Sequence, residues 1–361
     1  MVMTRTAALA LVAAIALPAS LSAESGALVT GLSYSDRYGG TGHLGLEFAG
    51  LFDGALDLSL GYRAGDRGRQ GTANLVYRYR LGEALGGPAF LRFGLFGDIA
   101  EWASNPFHTE SWGASVGVEV AATPQLTWTA GLAYSTARLT GPGMNLSPVL
   151  AQDLGRSDVT SLEIGLGWAS LPGAGTFDPN FRISGQLGHA LSGDMDRDWT
   201  RARLNLGATV PAFGPSVLIL SAEGSVISSN ANSGRVHALD RYFADGRSPR
   251  GFAFGSPGPI DPVTKDALGG TRQLALSVEM RTPLPREGLS LGVFADAGSV
   301  WDLAGHADPT LDDGFDLRSS VGISLGWEMR FGRLEASLAR AVQYSDHDLR
   351  RSFSLGFVSR F

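Results

Sequence analysis

Little in this chain can make or break a covalent bond. Six histidines, His43, His108, His189, His237, His306 and His347, are scattered along 361 residues. A serine nucleophile needs a base within hydrogen-bond reach, and the nearest grouping is Tyr344-Ser345-Asp346-His347-Asp348. That run has the polar composition of a solvated hairpin loop. The GxSxG elbow, the HExxH zinc helix and the GxxxxGK phosphate loop are all missing from the sequence. Asp194-Met195-Asp196-Arg197-Asp198 alternates carboxylates in a way that could hold calcium, but Arg197 intrudes and the glycine and distal glutamate of a calcium loop are lacking. It reads as a polar loop, as does Asp312-Asp313-Gly314. No catalytic residue, metal site or cofactor is expected, and the chain is not expected to be an enzyme. What remains are charges set within apolar alternation, Glu279, Arg281 and Asp296 among them.

The elements that carry those charges follow from composition and period. Glycine supplies 49 of 361 residues, about twice the usual share of roughly 7%, and glycine is costly inside helices. Charged residues make up only 18%, the net charge is −6, and Lys265 is the one lysine. A nucleic-acid partner, which requires a basic face, is therefore not expected. The absence of cysteine fits an oxidising compartment. Arg5, the apolar run Ala7 to Leu17 and the small residues Pro18 to Ala23 read as a secretory signal peptide over 1–23. The expected mature domain is 24–361.

Within it, period two recurs. In Leu56-Asp57-Leu58-Ser59-Leu60-Gly61-Tyr62-Arg63 the even positions are apolar and the odd ones polar or small. Leu162, Ile164, Leu166 and Trp168 repeat the pattern, and so do Val321, Ile323, Leu325, Trp327 and Met329. A soluble sandwich turns such an apolar face inward, whereas an outer-membrane barrel turns it to lipid. Strands of about ten residues, their large number, and short turns alternating with longer loops favour the barrel. Sixteen strands are expected, starting near Leu28, Leu44, Leu56, Ala73, Phe90, Gly113, Leu126, Ser161, Phe181, Thr200, Val217, Gln273, Leu289, Arg318, Leu334 and Ser352. The fold class is all-β, a 16-stranded antiparallel transmembrane β-barrel with its longest loop, roughly Ser228 to Arg272, between strands 11 and 12. Its glycine excess is expected at lumen positions such as Gly61, Gly94, Gly165, Gly322 and Gly326, leaving space for an inserted loop. Phe353, Leu355, Phe357 and Phe361 share one face of the last strand, and the sequence given stops on that aromatic.

Five motifs then occur in order: Arg250-Gly251-Phe252, Gly269-Gly270, Glu279-Met280-Arg281-Thr282-Pro283, Phe294-Ala295-Asp296-Ala297-Gly298, and the closing phenylalanine. Together they resemble the bacterial surface antigen barrel, the membrane domain of BamA-type and TamA-type assembly factors and two-partner secretion pores. The resemblance implies that Arg250, Gly251 and Phe252 form a loop-six motif folding back into the lumen. It implies that Phe294, Asp296 and Gly298, with Glu279, form the lumen acceptor, and that Phe357 and Phe361 belong to a C-terminal assembly signal. Parity agrees, since Gly292, Phe294, Asp296 and Gly298 share a face opposite Leu291, Val293, Ala295 and Ala297. An arginine delivered beside Asp296 and Glu279 can bind bidentately, as lysine cannot.

Two departures stand out: Pro249 precedes Arg-Gly where the family has an aliphatic residue, and, with strand one expected within a few residues of Glu24, no periplasmic POTRA module is expected before the barrel. The implied location is the bacterial outer membrane. The implied partners are outer-membrane lipid, nascent outer-membrane proteins and a separate POTRA-bearing or lipoprotein partner. The implied activity is assistance in outer-membrane protein insertion or translocation, with a passive channel or structural barrel as the alternative.

Overall fold

The computed structural model describes residues 25–35, 39–65, 68–102, 108–141, 146–173, 175–244, 249–253, 255–306, 311–329 and 332–360. The expected signal peptide and Phe361 lie outside these residues. Alternating sequence becomes alternating face because successive Cβ atoms of an extended chain point to opposite sides.

Sixteen strands form among the described residues: β1 (Ser25–Ser35), β2 (Gly39–Gly50), β3 (Leu56–Gly65), β4 (Gly68–Ala84), β5 (Gly87–Trp102), β6 (His108–Ala121), β7 (Leu126–Thr140), β8 (Gly155–Ala169), β9 (Asn180–Gly193), β10 (Trp199–Pro211), β11 (Val217–Ser229), β12 (Arg272–Pro283), β13 (Leu289–Trp301), β14 (Arg318–Met329), β15 (Gly332–Gln343) and β16 (Phe353–Arg360). Each pairs antiparallel with its neighbour in sequence, and β1 pairs with β16 to close the barrel. Closure leaves no free sheet edge, which is what hydrocarbon demands of a β structure.

Alternation sorts the wall. Leu95 is 57% exposed and Val293 47%, whereas Asp296 on the opposite face of Val293's strand is 2% exposed. Outward apolar faces suit lipid, and inward polar ones suit a lumen.

Three features depart from the sequence reading. Strands run from 8 residues in β16 to 17 in β4, not a uniform ten, because pairing continues beyond the apolar band wherever two chains stay adjacent. Thus β8 begins at Gly155, with Arg156, Ser157 and Asp158 paired to Arg138, Ala137 and Thr136. Second, long connections do not alternate all round the barrel. They concentrate on one rim of the later half, at 141–154, 230–271 and 302–317, while β3 and β4 are joined by 66–67 alone.

Third, Gly61, Gly94 and Gly165 do not hold space for a loop. A Cβ there would lie 2.5, 2.4 and 2.4 Å from hydroxyl oxygens of Thr72, Ser115 and Thr129. The missing side chains make room for cross-strand neighbours on the wall itself.

The later long connections build a cap with its own apolar core. Leu139, Val149, Leu150, Ala238, Leu268 and Leu303 cluster there, all buried.

Candidate functional site

The site begins with two adjacent strands. On β12 the inward face carries Ser277, Glu279 and Arg281; on β13 it carries Phe294, Asp296 and Gly298. Register places Ser277 opposite Asp296 and Glu279 opposite Phe294. Two carboxylates thus sit side by side on a buried wall, and such a pair demands cations.

Arg250 supplies one from the 230–271 connection. Its Nε donates to Asp296 Oδ2 at 2.7 Å and its Nη2 to Asp296 Oδ1 at 2.9 Å, a bidentate pair. Nη1 donates to Glu279 Oε2 at 2.8 Å, and Nη2 also reaches Ser277 Oγ at 3.1 Å. The Arg250 backbone N–H adds a bond to Asp296 Oδ2 at 3.0 Å. The guanidinium carbon lies 3.4 Å from the Phe294 ring centroid, a cation–π contact strengthened by loss of water. A planar fork with charge and donors along two edges satisfies this arrangement, and a point charge does not.

Glu279 has further partners. Ser324 Oγ donates to its Oε1 at 2.6 Å, and Arg281 Nε to the same oxygen at 2.9 Å. Arg281 continues to Glu335 at 3.0 Å. The result is a connected network across β12, β13, β14 and β15, with two arginines facing three carboxylates.

Backbone shape completes the fit. Gly251 has φ +93°, and a Cβ there would approach Ser320 Cβ to 3.2 Å. Ser320 Oγ donates to the carbonyl of Arg250. A Cβ on Gly298 would lie 2.8 Å from Pro249 Cδ, so this glycine accommodates the proline that departs from the family pattern. Gly322, opposite Phe294, lets that ring lie flat on the wall. Phe252 is fully buried and forms an isolated bridge with Arg350. Phe357 lies apart, in β16, between Thr30 of β1 and Leu334 of β15.

Arg250, Gly251, Glu279, Phe294, Asp296 and Gly298 therefore meet in one place. Ser277, Ser320, Ser324 and Glu335 complete it without having been singled out, their only sequence signal being shared parity on β12, β14 and β15. Arg281, already noted as a charge within the Glu279-to-Pro283 motif, and Gly322, expected as a lumen glycine, join them.

A second buried network holds the cap. Arg241 Nη2 donates to Asp153 Oδ2 at 3.1 Å and to His306 Nε2 at 3.0 Å, while its Nε and Nη1 reach the carbonyls of Val236 and Leu268. Arg197 binds Asp240 bidentately at 2.8 Å. Burial, reinforced by Arg241 and Arg235, pushes the His306 imidazole down to about 4. Burial likewise lowers His237.

The polar runs weighed for other chemistry disperse. Asp196 pairs with Arg235 at 2.6 Å, Asp194 accepts from the Asp158 N–H and Asp198 from Asn230. Among the described residues no group of three or more histidines and carboxylates could hold a metal ion. Asp348 turns to Arg318 and Ser256.

With this geometry in place, comparison with known proteins is informative. A family model described as the Omp85 superfamily domain matches residues 52–361. Over 193 residues the chain is 31% identical to the outer membrane protein assembly factor BamA of Neorickettsia risticii (strain Illinois), a match covering 51% of this chain and 25% of that protein. The chain thus spans about a quarter of the length of the curated relative it matches. Among solved structures, BamA from Haemophilus ducreyi lacking POTRA domains 1–3 superposes with a TM-score of 0.70 at 21% identity, covering 93% of this chain and 70% of the other. CdiB from Acinetobacter baumannii gives 0.64 at 14% identity, covering 93% and 59%. Both likenesses are of the barrel fold.

Proposed function

This chain belongs to the Omp85 superfamily, and we propose that, as a barrel of the bacterial outer membrane, it assists insertion or translocation of outer-membrane proteins through the seam between β1 and β16. The observation that carries this reading is how thinly β16 is held. Among the described residues it has seven partners on β15 (Gly332 to Leu338) and eight on β1 (Ala27 to Tyr34), against sixteen between β4 and β5. An opened seam exposes unpaired N–H and C=O groups, which in hydrocarbon must find partners. An arriving strand supplies them edge to edge. The relative at 31% identity is named an assembly factor, and the proposal carries that activity to this chain. In this reading, Arg250, held by Asp296 and Glu279, pins the loop inside the lumen and fixes one barrel state. The Phe357 and Phe361 positions serve the barrel's own assembly. Lipid, nascent outer-membrane proteins and a periplasmic POTRA-bearing or lipoprotein partner are the proposed partners, the last tested by co-purification from solubilised membranes.

The native chain has no cysteine, so Leu32→Cys with Leu355→Cys, facing positions across the seam, gives a single disulfide. Proteoliposomes carrying the locked protein are expected to lose stimulation of the folding of a urea-denatured outer-membrane barrel, and reductant is expected to restore it. Equal yields from the locked and reduced forms would remove the mechanism. A structural barrel without insertase activity is the second reading, favoured by the buried Arg241–Asp153 pair that fastens the 230–271 connection to the 141–154 connection. Conductance that stays absent after deletion of 249–253, with folding yields equal as above, would select it.

A further inference from the structure

The chain entering β16 changes partners. β16 begins at Phe353, opposite Leu338, while β15 continues to Gln343. The Ala339 N–H donates to the Ser352 carbonyl at 2.9 Å. Beyond that point the approach to β16 pairs with the lumen loop instead. The Arg351 N–H donates to the Gly251 carbonyl at 2.9 Å, and the Ala253 N–H to the Leu349 carbonyl at 2.7 Å, flanking the Phe252–Arg350 bridge.

This short ladder has a polar hub. The Asp348 side chain, almost fully buried, accepts from Arg318 Nε at 2.6 Å, from Ser256 Oγ at 2.8 Å and from the Ser345 N–H at 2.6 Å. Ser256 Oγ also accepts from the Leu349 N–H at 3.2 Å. Ser256 and Gly251 belong to the loop, Arg318 to β14, and the remainder to the connection leading into the seam strand. The two attachments of the loop fall on adjacent residues: Arg250 binds β12 and β13, and Gly251 binds the approach to β16. Main chain cannot stretch between them, so the two attachments move together.

We propose that Asp348 is a positioning residue for the seam: through this clasp, docking of Arg250 fixes the upper end of β16, and withdrawal of Arg250 frees it. The coupling is reciprocal, as any equilibrium linkage is. Its functional consequence rests on the seam reading above. The clasp itself does not.

Amide hydrogen exchange of the purified full chain in detergent tests it. Arg250→Ala touches neither Asp348 nor β16, yet it is expected to speed exchange over 349–357 by about tenfold, the scale of losing a charge-assisted network. Asp348→Ala is expected to speed the same amides while leaving β5 to β10 unchanged. Ser256→Ala, a milder change, is expected to do so with smaller amplitude should Asp348→Ala not fold. Conversely, the disulfide between positions 32 and 355 is expected to slow exchange over 250–253. Acceleration confined to 249–253, β12 and β13 in Arg250→Ala overturns the clasp, as does uniform acceleration in Ser256→Ala. Exchange is read without substrate. A barrel inactive in assembly that keeps the coupling therefore retires the proposed function alone, and an active barrel without the coupling retires the clasp alone.

Discussion

Arg250 holds Asp296 with both its side chain and its own backbone N–H, at 2.7, 2.9 and 3.0 Å. Side chain and main chain of one loop residue thus converge on one carboxylate, so neither loop position nor arginine rotamer is free. Removing one member of a buried pair strands the other charge, a loss of about 3–5 kcal/mol. Asp296→Ala is accordingly expected to lower the urea midpoint of the barrel far more than Arg250→Met with Asp296→Leu. Heat-modifiable mobility on gels gives an independent readout. Equal losses in single and double variants would count against the pairing.

Gly251 combines a left-handed backbone with a close approach to Ser320. Gly251→Ala must therefore bend the loop or push β14, at about 1–3 kcal/mol. Its unfolding midpoint should fall, and a midpoint matching the parent would show that the loop adapts freely.

The cap is expected to weaken in acid. Arginine can only donate, so the Arg241 bond to His306 Nε2 requires that nitrogen to be an acceptor, hence a neutral ring protonated at Nδ1. An unfolded histidine titrates near 6.5, whereas burial beside Arg241 and Arg235 holds His306 at about 4. Between these values the unfolded cap binds more protons, so stability rises with pH there. The contribution is complete above about 6.5, falls as pH drops toward about 4, and is lost below that. Amide protection over 236–242, corrected for intrinsic exchange, should decline by about tenfold or more across this window. His306→Gln, which keeps an acceptor without the charge, should flatten the decline. An unchanged slope in that variant would assign the effect elsewhere.

Wall parity predicts unequal tolerance of charge. Val321 faces outward and is 47% exposed, so Val321→Arg should cost roughly 2–4 kcal/mol if it lies near the midplane. Asn205, on the opposite face of β10 from Leu204 and Leu206, looks into the lumen opposite Glu223, and Asn205→Arg should cost little. Folding yields in lipid vesicles compare them, and similar yields would contradict the assignment of faces.

Period two is a local property, and the sequence alone determined what is local: sixteen strands, their order and the face each residue takes. Leu291, Val293 and Asp296 could be sorted this way because a pleated chain leaves only two directions for a side chain. Strand ends were less legible, as at β8, since pairing stops where a neighbour leaves and not where composition changes. Only the tertiary structure decided what the long connections touch. Arg250 lies 46 residues from Asp296, and Ser256 lies 92 from Asp348. No periodicity spans such separations. Family motifs implied the Arg250–Asp296 partnership, but nothing in spacing or composition pointed to the Asp348 hub or to the Arg241–His306 contact. Those were fixed by closure of the barrel, which brings β12 to β16 to one side of the lumen and leaves their buried charges only one another to pair with.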